Sequence, residues 1–265
     1  MLLGPDVSSW QGANIDWQAV ASSGRSFAWT KATQSTNYTN PALGHNWPGI
    51  RDAGLIRGAY HFGEPGNSDA GSQAGAFLAA LSRFGGLQPG DLVALDLEAG
   101  DGDLLEWAIE FLGRVKAESG VTPMLYSGSW FLIPHGLSAD PRLSQYPLWL
   151  SSYTAAAPPI PLAWPCMALW QYTDRSVIPG IGGPVDESYF FGSTDQLRSL
   201  GMASPTQAST PAPSVTDQVV TILSVIGDMT YPDGVNMDEQ APNQSVPRRI
   251  FQRQLVQHAK ALLGA

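Results

Sequence analysis

From residue 2 to residue 127 the chain repeats one pattern: an apolar run, a turn, a helix-like stretch, a turn and another apolar run. The runs are Leu2 to Ser8, Ser26-Phe-Ala-Trp-Thr-Lys-Ala, Ile56-Arg-Gly-Ala-Tyr-His-Phe, Leu92-Val-Ala-Leu-Asp-Leu-Glu and Pro123-Met-Leu-Tyr-Ser. Between the first two, Asp16 suits a helix N-cap, Trp17, Val20 and Ala21 form the apolar stripe, and Gly24 stops the helix. A polar, turn-rich loop over 38–47 leads into a helix through Ile50 to Gly54. Asp69 to Phe84 is an Ala- and Gly-rich helix, and Asp103 to Ser119 is amphipathic and stopped by Gly120. Such alternation joins parallel strands by helical crossovers. Pro134, Gly136 and Pro141 then leave room only for a short helix over 129–144. Strands at Leu148-Trp-Leu-Ser-Ser-Tyr, Met167-Ala-Leu-Trp-Gln-Tyr and Val185-Asp-Glu-Ser-Tyr-Phe-Phe follow in quick succession. The predicted fold is α/β: an irregular TIM-like barrel with eight parallel strands and about five helices, its last helices missing.

The run Leu92 to Glu98 carries the chemistry. Side chains alternate across a strand, so Asp96 and Glu98 point to one side and Leu95 and Leu97 to the other. Two acids delivered by a buried strand are costly unless something uses them. In a parallel barrel the C-terminal strand ends form one rim, where active sites sit. Asp6, Lys31, Tyr60, His61, Tyr126, Tyr153, Gln171 and Tyr172 collect there with Asp96 and Glu98, and Asp186 belongs to the last strand. Acids converging from three strands favour catalysis over a chance strand-end pair. His61 alternates away from Tyr60 and reads as structural.

Composition narrows the class. A net charge of −9 disfavours nucleic-acid binding, which needs a basic footprint. Nine Trp suit a sugar-binding cleft as well as a core. The single Cys166 excludes an internal disulfide and, in an apolar stretch, reads as a buried inert thiol. No His/Cys cluster has metal-ligand spacing, so neither a metal nor another cofactor is expected. No apolar run is long enough to span a membrane, and Met1-Leu-Leu-Gly-Pro-Asp has no charged n-region or long h-region, so no secretory signal is expected.

Several stretches, in this order, resemble the family 25 glycoside hydrolases, the Chalaropsis-type lysozymes of bacteria and phages. They are Gly4-Pro-Asp-Val-Ser-Ser-Trp-Gln-Gly, Phe27-Ala-Trp-Thr-Lys-Ala-Thr, Gly58-Ala-Tyr-His-Phe, Leu95-Asp-Leu-Glu, Met124-Leu-Tyr-Ser, Leu148-Trp-Leu-Ser-Ser-Tyr, Leu169-Trp-Gln-Tyr-Thr and Val185-Asp. The resemblance covers roughly residues 3–200. It implies an eight-stranded barrel and muramidase activity, cleavage of the β-1,4 bond from N-acetylmuramic acid to N-acetylglucosamine in peptidoglycan. The family's proton donor matches Glu98, its second central acid Asp96, and its flanking acids Asp6 and Asp186. One departure is local: the family usually reads Lys-Ala-Thr-Glu-Gly where this chain has Lys31-Ala-Thr-Gln34-Ser35.

Glycoside hydrolysis needs an acid for the leaving oxygen and a group to meet positive charge at the anomeric carbon. Neighbouring carboxylates and an apolar barrel would raise the pKa of Glu98, as a general acid requires. Asp96 either attacks as a nucleophile or orients the substrate's 2-acetamido group, with the second reading preferred. Asp6 and Asp186 tune charge and hold hydroxyls. Tyr60, Tyr126, Trp149, Tyr153, Trp170 and Gln171 are candidates for the sugar-binding wall, with strand-end tyrosines preferred, and Lys31 for pairing with a rim acid.

The catalytic barrel is expected over 1–201, a Pro/Ser/Thr/Ala linker over 202–213, and a small helical region over 214–265. That last region opposes five acids over 214–246 to four basic residues over 247–265. It could dock on the barrel, self-associate, or bind a wall or virion partner. The substrate lies outside the membrane. The expectation is therefore a phage lysin made in the cytoplasm of an infected bacterium and delivered by a holin-type pore, or a virion-associated enzyme. The alternatives are a virion wall-binding protein with an idle barrel and a hydrolase of chitin-like chains. The acid-rich strand expected of the latter is absent.

Overall fold

The computed structural model describes residues 1–154 and 157–201. The linker and the helical region expected after residue 201 lie outside the described residues. Within them the chain forms β1 (Leu2–Val7), β2 (Phe27–Gln34), β3 (Tyr38–Thr39), β4 (Ile56–Phe62), β5 (Leu92–Asp96), β6 (Met124–Gly128), β7 (Leu148–Ser151), β8 (Leu169–Ser176) and β9 (Val185–Phe190). The helices are α1 (Trp17–Ser22), α2 (Leu43–Asp52), α3 (Ala70–Ser82), α4 (Leu104–Ser119), α5 (Ser129–Leu132) and α6 (Thr194–Gly201). The strand order β1-β9-β8-β7-β6-β5-β4-β2, with β1 also paired to β2, closes an eight-stranded barrel. The two-residue β3 lies against the end of β2, in a stretch expected to be loop.

Local signals place the helices. Asp16, Asp69 and Asp103 cap α1, α3 and α4, each accepting a backbone N–H three residues on. Gly120 ends α4 in the left-handed conformation. α2 begins within the expected 38–47 loop and tolerates Pro48 in its second turn.

Two expectations about closure need correction. The barrel is mixed rather than parallel, because β9 runs antiparallel to both β8 and β1. Only residues 177–184 join β8 to β9, too few for a crossover, so the pair closes as a hairpin. The last helix is present as well. Ser193 Oγ accepts from Gln196 N at 3.2 Å while Gln196 Oε1 accepts from Ser193 N at 2.8 Å, a capping box that starts α6. Leu197 and Leu200 of α6 then join the core at the barrel's floor.

Alternate residues of each strand fill the interior. Leu2, Phe27, Ile56, Leu92, Met124, Leu169 and Phe190 pack with Trp29, Ala94, Tyr126 and Trp149 in one cluster. Trp29 and Trp149 have ring centroids 4.6 Å apart. Room for Trp29 comes from Gly58, where a Cβ would stand 2.2 Å from Trp29 Cε3. Outside the barrel, Trp17 and Val20 of α1 pack with Ile50, Ile178 and Val185.

Cys166 also differs from expectation: it is exposed. Its neighbours Trp164 and Met167 turn inward instead. Among the described residues no helix is long and apolar enough to cross a membrane.

Candidate active site

The period of two that fills the core also builds the site. Continuing the inward positions toward the open mouth gives Asp6 on β1, Lys31 on β2, Tyr60 on β4, Asp96 on β5, Tyr126 on β6 and Gln171 on β8. Asp186 is the second residue of β9, yet it reaches the same mouth because β9 runs the opposite way. Glu98 stands just past the end of β5. There the ladder continues through Leu97 N to Tyr126 O at 3.0 Å, and Ser127 Oγ donates to Leu97 O at 2.7 Å. The structure thus gathers all four acids in one mouth.

Asp6 and Asp186 are direct partners in the β1–β9 register, and their carboxyl groups hydrogen-bond to each other. Burial, then the charge of Asp186, holds the Asp6 carboxyl well above the usual carboxylate range. The two carboxyls therefore share one proton between them. Asp186 is itself pushed up to about 6, by partial burial and then by the Asp174 carboxylate. Asp96 is raised by burial and by Glu98, against the pull of the Lys31 ammonium. Its Oδ1 is buried with no hydrogen-bond partner among the described residues. Glu98 is raised by partial burial and by Asp186, so it holds its proton to higher pH than an ordinary glutamate.

A polar wall faces these acids. Tyr126 OH and Tyr153 OH each donate to Gln171 Oε1 at 2.8 Å, and Gln171 Nε2 donates to Asp6 Oδ2 at 2.9 Å. Tyr153 is half exposed, whereas Gln171 is buried. Burial and the surrounding acids push the Tyr60 and Tyr126 phenols upward, so both stay protonated donors. The Lys31 ammonium lies 4.6 Å from the Phe62 ring centroid and donates to Gln34 Oε1 at 2.6 Å. That hydrogen bond thus goes to an amide rather than to the rim acid expected. Burial lowers its pKa, and the charges of Asp96, Glu64 and Glu98 oppose that.

Two of the expected wall residues lie elsewhere. Trp149 faces inward but deeper, fully buried beneath Tyr126 with its Nε1 donating to Ser188 Oγ at 2.9 Å. Trp170 alternates to the outside of the barrel, against the stacked Tyr172 and Tyr189 rings, and its Nε1 donates to Ser152 O at 2.8 Å. His61 also points outward, between Thr33 and Gln73, and burial lowers its pKa to about 4.

Two residues near the mouth, Glu64 and Asp174, escaped the sequence reading, and Gln34 was singled out there only as a departure from the family pattern. Gln34 Nε2 donates to Glu64 Oε1 at 2.7 Å, which links Lys31 through Gln34 to Glu64. Glu64 lies two residues past β4, at a strand end where any acid was worth weighing. Asp174 acts on Asp186, but the β8 ladder shifts register between Gln171 and Thr173, so alternation could not place it. Among the described residues no group of three or more His, Cys, Asp or Glu side chains could hold a metal ion.

A mouth of crowded, partly buried carboxyls that hold their protons to unusually high pH can protonate a leaving oxygen and shelter a developing cation, which is what a glycoside hydrolase does. Comparison with known proteins agrees. The chain belongs to the glycosyl hydrolases of family 25, whose model matches residues 5–181. It is 34% identical over 211 residues to lysozyme M1 of Streptomyces globisporus, covering 74% of this chain and 70% of that one. It is 32% identical over 216 residues to an N,O-diacetylmuramidase of a Chalaropsis species, covering 74% of this chain and 97% of the relative. The crystal structure of the bacterial lysozyme from Streptomyces coelicolor superposes with a TM-score of 0.68 at 30% identity, over 76% of this chain and 96% of that chain.

Proposed function

We propose that this glycoside hydrolase is a muramidase that cleaves the β-1,4 bond between N-acetylmuramic acid and N-acetylglucosamine in bacterial peptidoglycan. The similarity to an N,O-diacetylmuramidase along almost that protein's whole length carries this reading. The place of Glu98 in the mouth, with burial and Asp186 shifting its carboxyl upward, supports its part in the reaction.

In this mechanism Glu98 gives its proton to the glycosidic oxygen as the bond from that oxygen to the anomeric carbon breaks. The carbonyl oxygen of the substrate's own 2-acetamido group closes on the anomeric carbon and forms an oxazolinium ion. The buried, unpartnered Oδ1 of Asp96 is suited to accept the acetamido N–H and to stabilise the positive charge. Water then adds to the anomeric carbon and opens the ring. The Glu98 carboxylate takes the water's proton and is restored. Asp6 and Asp186, sharing one proton, hold hydroxyls and limit the negative charge in the mouth.

The biological role in this reading is lysis of the wall of a phage-infected bacterium. The wall lies outside the membrane, so a chain made in the cytoplasm needs a holin-type pore or a place on the virion to reach it. Expression with and without such a pore tests the first route, which predicts lysis only with it. Digestion of purified peptidoglycan tests the chemistry: new reducing ends on N-acetylmuramic acid are expected, and new ends on N-acetylglucosamine alone would refute it.

A further inference from the structure

Two exposed indoles on the barrel's mouth take no part in the site described so far. Trp130 is 63% exposed and Trp10 92% exposed, the highest exposure among the large hydrophobics of the described residues. Trp130 follows β6 directly. Gly128, the last residue of β6, is the next inward position above Tyr126. A Cβ at Gly128 would lie 2.1 Å from Trp130 Nε1. The indole therefore occupies the place an inward side chain would take, at the edge of the mouth just above Tyr126. Phe131, buried beside it in an edge-on contact at 5.7 Å, anchors that turn in the fold.

Trp10 follows β1 in a turn held from within. Ser8 N donates to Gln11 Oε1 at 3.0 Å, Trp10 N to Ser8 Oγ at 3.2 Å, and Gly12 N to Ser9 O at 3.2 Å. Gly12 has a φ of +71°, which only glycine adopts without strain. The turn thus costs backbone order to hold an indole out in water. β1 and β6 stand four places apart in a ring of eight, so they face each other across the mouth. Strands ~4.8 Å apart and tilted ~36° close a ring ~15 Å across, wider than one sugar. Of the acids in the mouth, Asp6 and Asp186 belong to β1 and its neighbour β9, on the Trp10 side of the ring, and Asp96 to β5, beside β6 on the Trp130 side.

We propose that Trp130 and Trp10 are stacking platforms for sugar rings at the two ends of one glycan cleft, and that the enzyme grips an extended strand rather than a single disaccharide. A sugar presents an apolar face of ring C–H groups, which an indole covers well. The continuity of Trp130 with Tyr126 and the acid cluster makes the glycan its occupant. The inference rests on the muramidase reading.

The test compares wild type with Trp130→Ala, Trp10→Ala and the corresponding Tyr variants on long peptidoglycan glycan strands. Each Ala variant is expected to raise KM about tenfold, with the loss concentrated in KM rather than kcat, and Tyr to recover most of it. A merely structural role would not be rescued by Tyr or confined to KM. Tryptophan fluorescence of Glu98→Gln titrated with the same strands is expected to change, and to change less when Trp130 is also Ala. Unaltered KM in both Ala variants, with wild type active, overturns the inference alone. Inactivity of wild type on all such strands overturns the muramidase reading and the inference with it.

Discussion

Gln171 stands between Asp6 and two tyrosines: its Nε2 donates to Asp6 Oδ2 at 2.9 Å, and its Oε1 accepts from Tyr126 and Tyr153, each at 2.8 Å. The two hydroxyl donors fix which way the amide points, so the N–H must face Asp6. One chain of polar groups thus runs from β6 and β7 across β8 to β1. Replacing Gln171 by Leu frees both tyrosines and leaves Asp6 with only its bond to Asp186. The expected result is a fall in kcat of about 10–100-fold, the size of losing a buried hydrogen bond near the reacting atoms. Steady-state kinetics at one pH check it, with a thermal melt to show that the barrel remains folded.

The crowding of carboxyls sets a pH dependence of stability. The carboxyl of Asp186 is lifted from 3.8 to about 6, so between those values the folded chain binds more protons than the unfolded one. Its contribution is therefore favourable at low pH and is lost as pH rises through about 6. Asp186→Asn is expected to raise Tm by about 2–4 °C at pH 7 and to change it little at pH 4. The same change removes a charge that raises Glu98, so the basic limb of the kcat profile should move to lower pH. A basic limb that does not move would detach Asp186 from the acid.

The inward period of two made most of this site legible. Asp6, Asp96 and Glu98 needed only strand assignment and alternation, and the structure brings them together. What alternation could not do was rank neighbours. Trp149 and Trp170 looked alike as strand aromatics, yet one is core under Tyr126 and the other lies outside the barrel. The direction of β9 was open to inference from its short connection, and it decides why Asp186 reaches the mouth from the start of its strand. α6 was announced by Ser193 and Gln196. The link from Lys31 through Gln34 to Glu64 joins the ends of two strands and depends on tertiary geometry that local pattern does not carry.

The barrel interior is tightly filled at Gly58. A Cβ on Gly58 would collide with Trp29 Cε3 at 2.2 Å, and Trp29 is already stacked on Trp149. Gly58→Ala is expected to destabilise by about 1–3 kcal/mol through overpacking, visible as a lower midpoint in denaturant at unchanged slope.

Ser35 is the one non-glycine residue with positive φ, +49°, among the described residues. It follows Gln34, which bridges Lys31 and Glu64. Left-handed backbone costs a residue with a Cβ about 1–2 kcal/mol. Ser35→Gly is expected to stabilise by about 1 kcal/mol, less the extra freedom glycine gains when unfolded. A fall in Tm would show that the serine side chain holds the turn.

In the proposed reaction Glu98 supplies the proton for cleavage after N-acetylmuramic acid. This role is tested most directly by digesting purified peptidoglycan with wild type and with Glu98→Gln, and identifying the sugar that carries each new reducing end. Muramic acid ends are expected from wild type and, from folded Glu98→Gln, a rate lower by at least about 10²-fold. Equal turnover by the variant would contradict it.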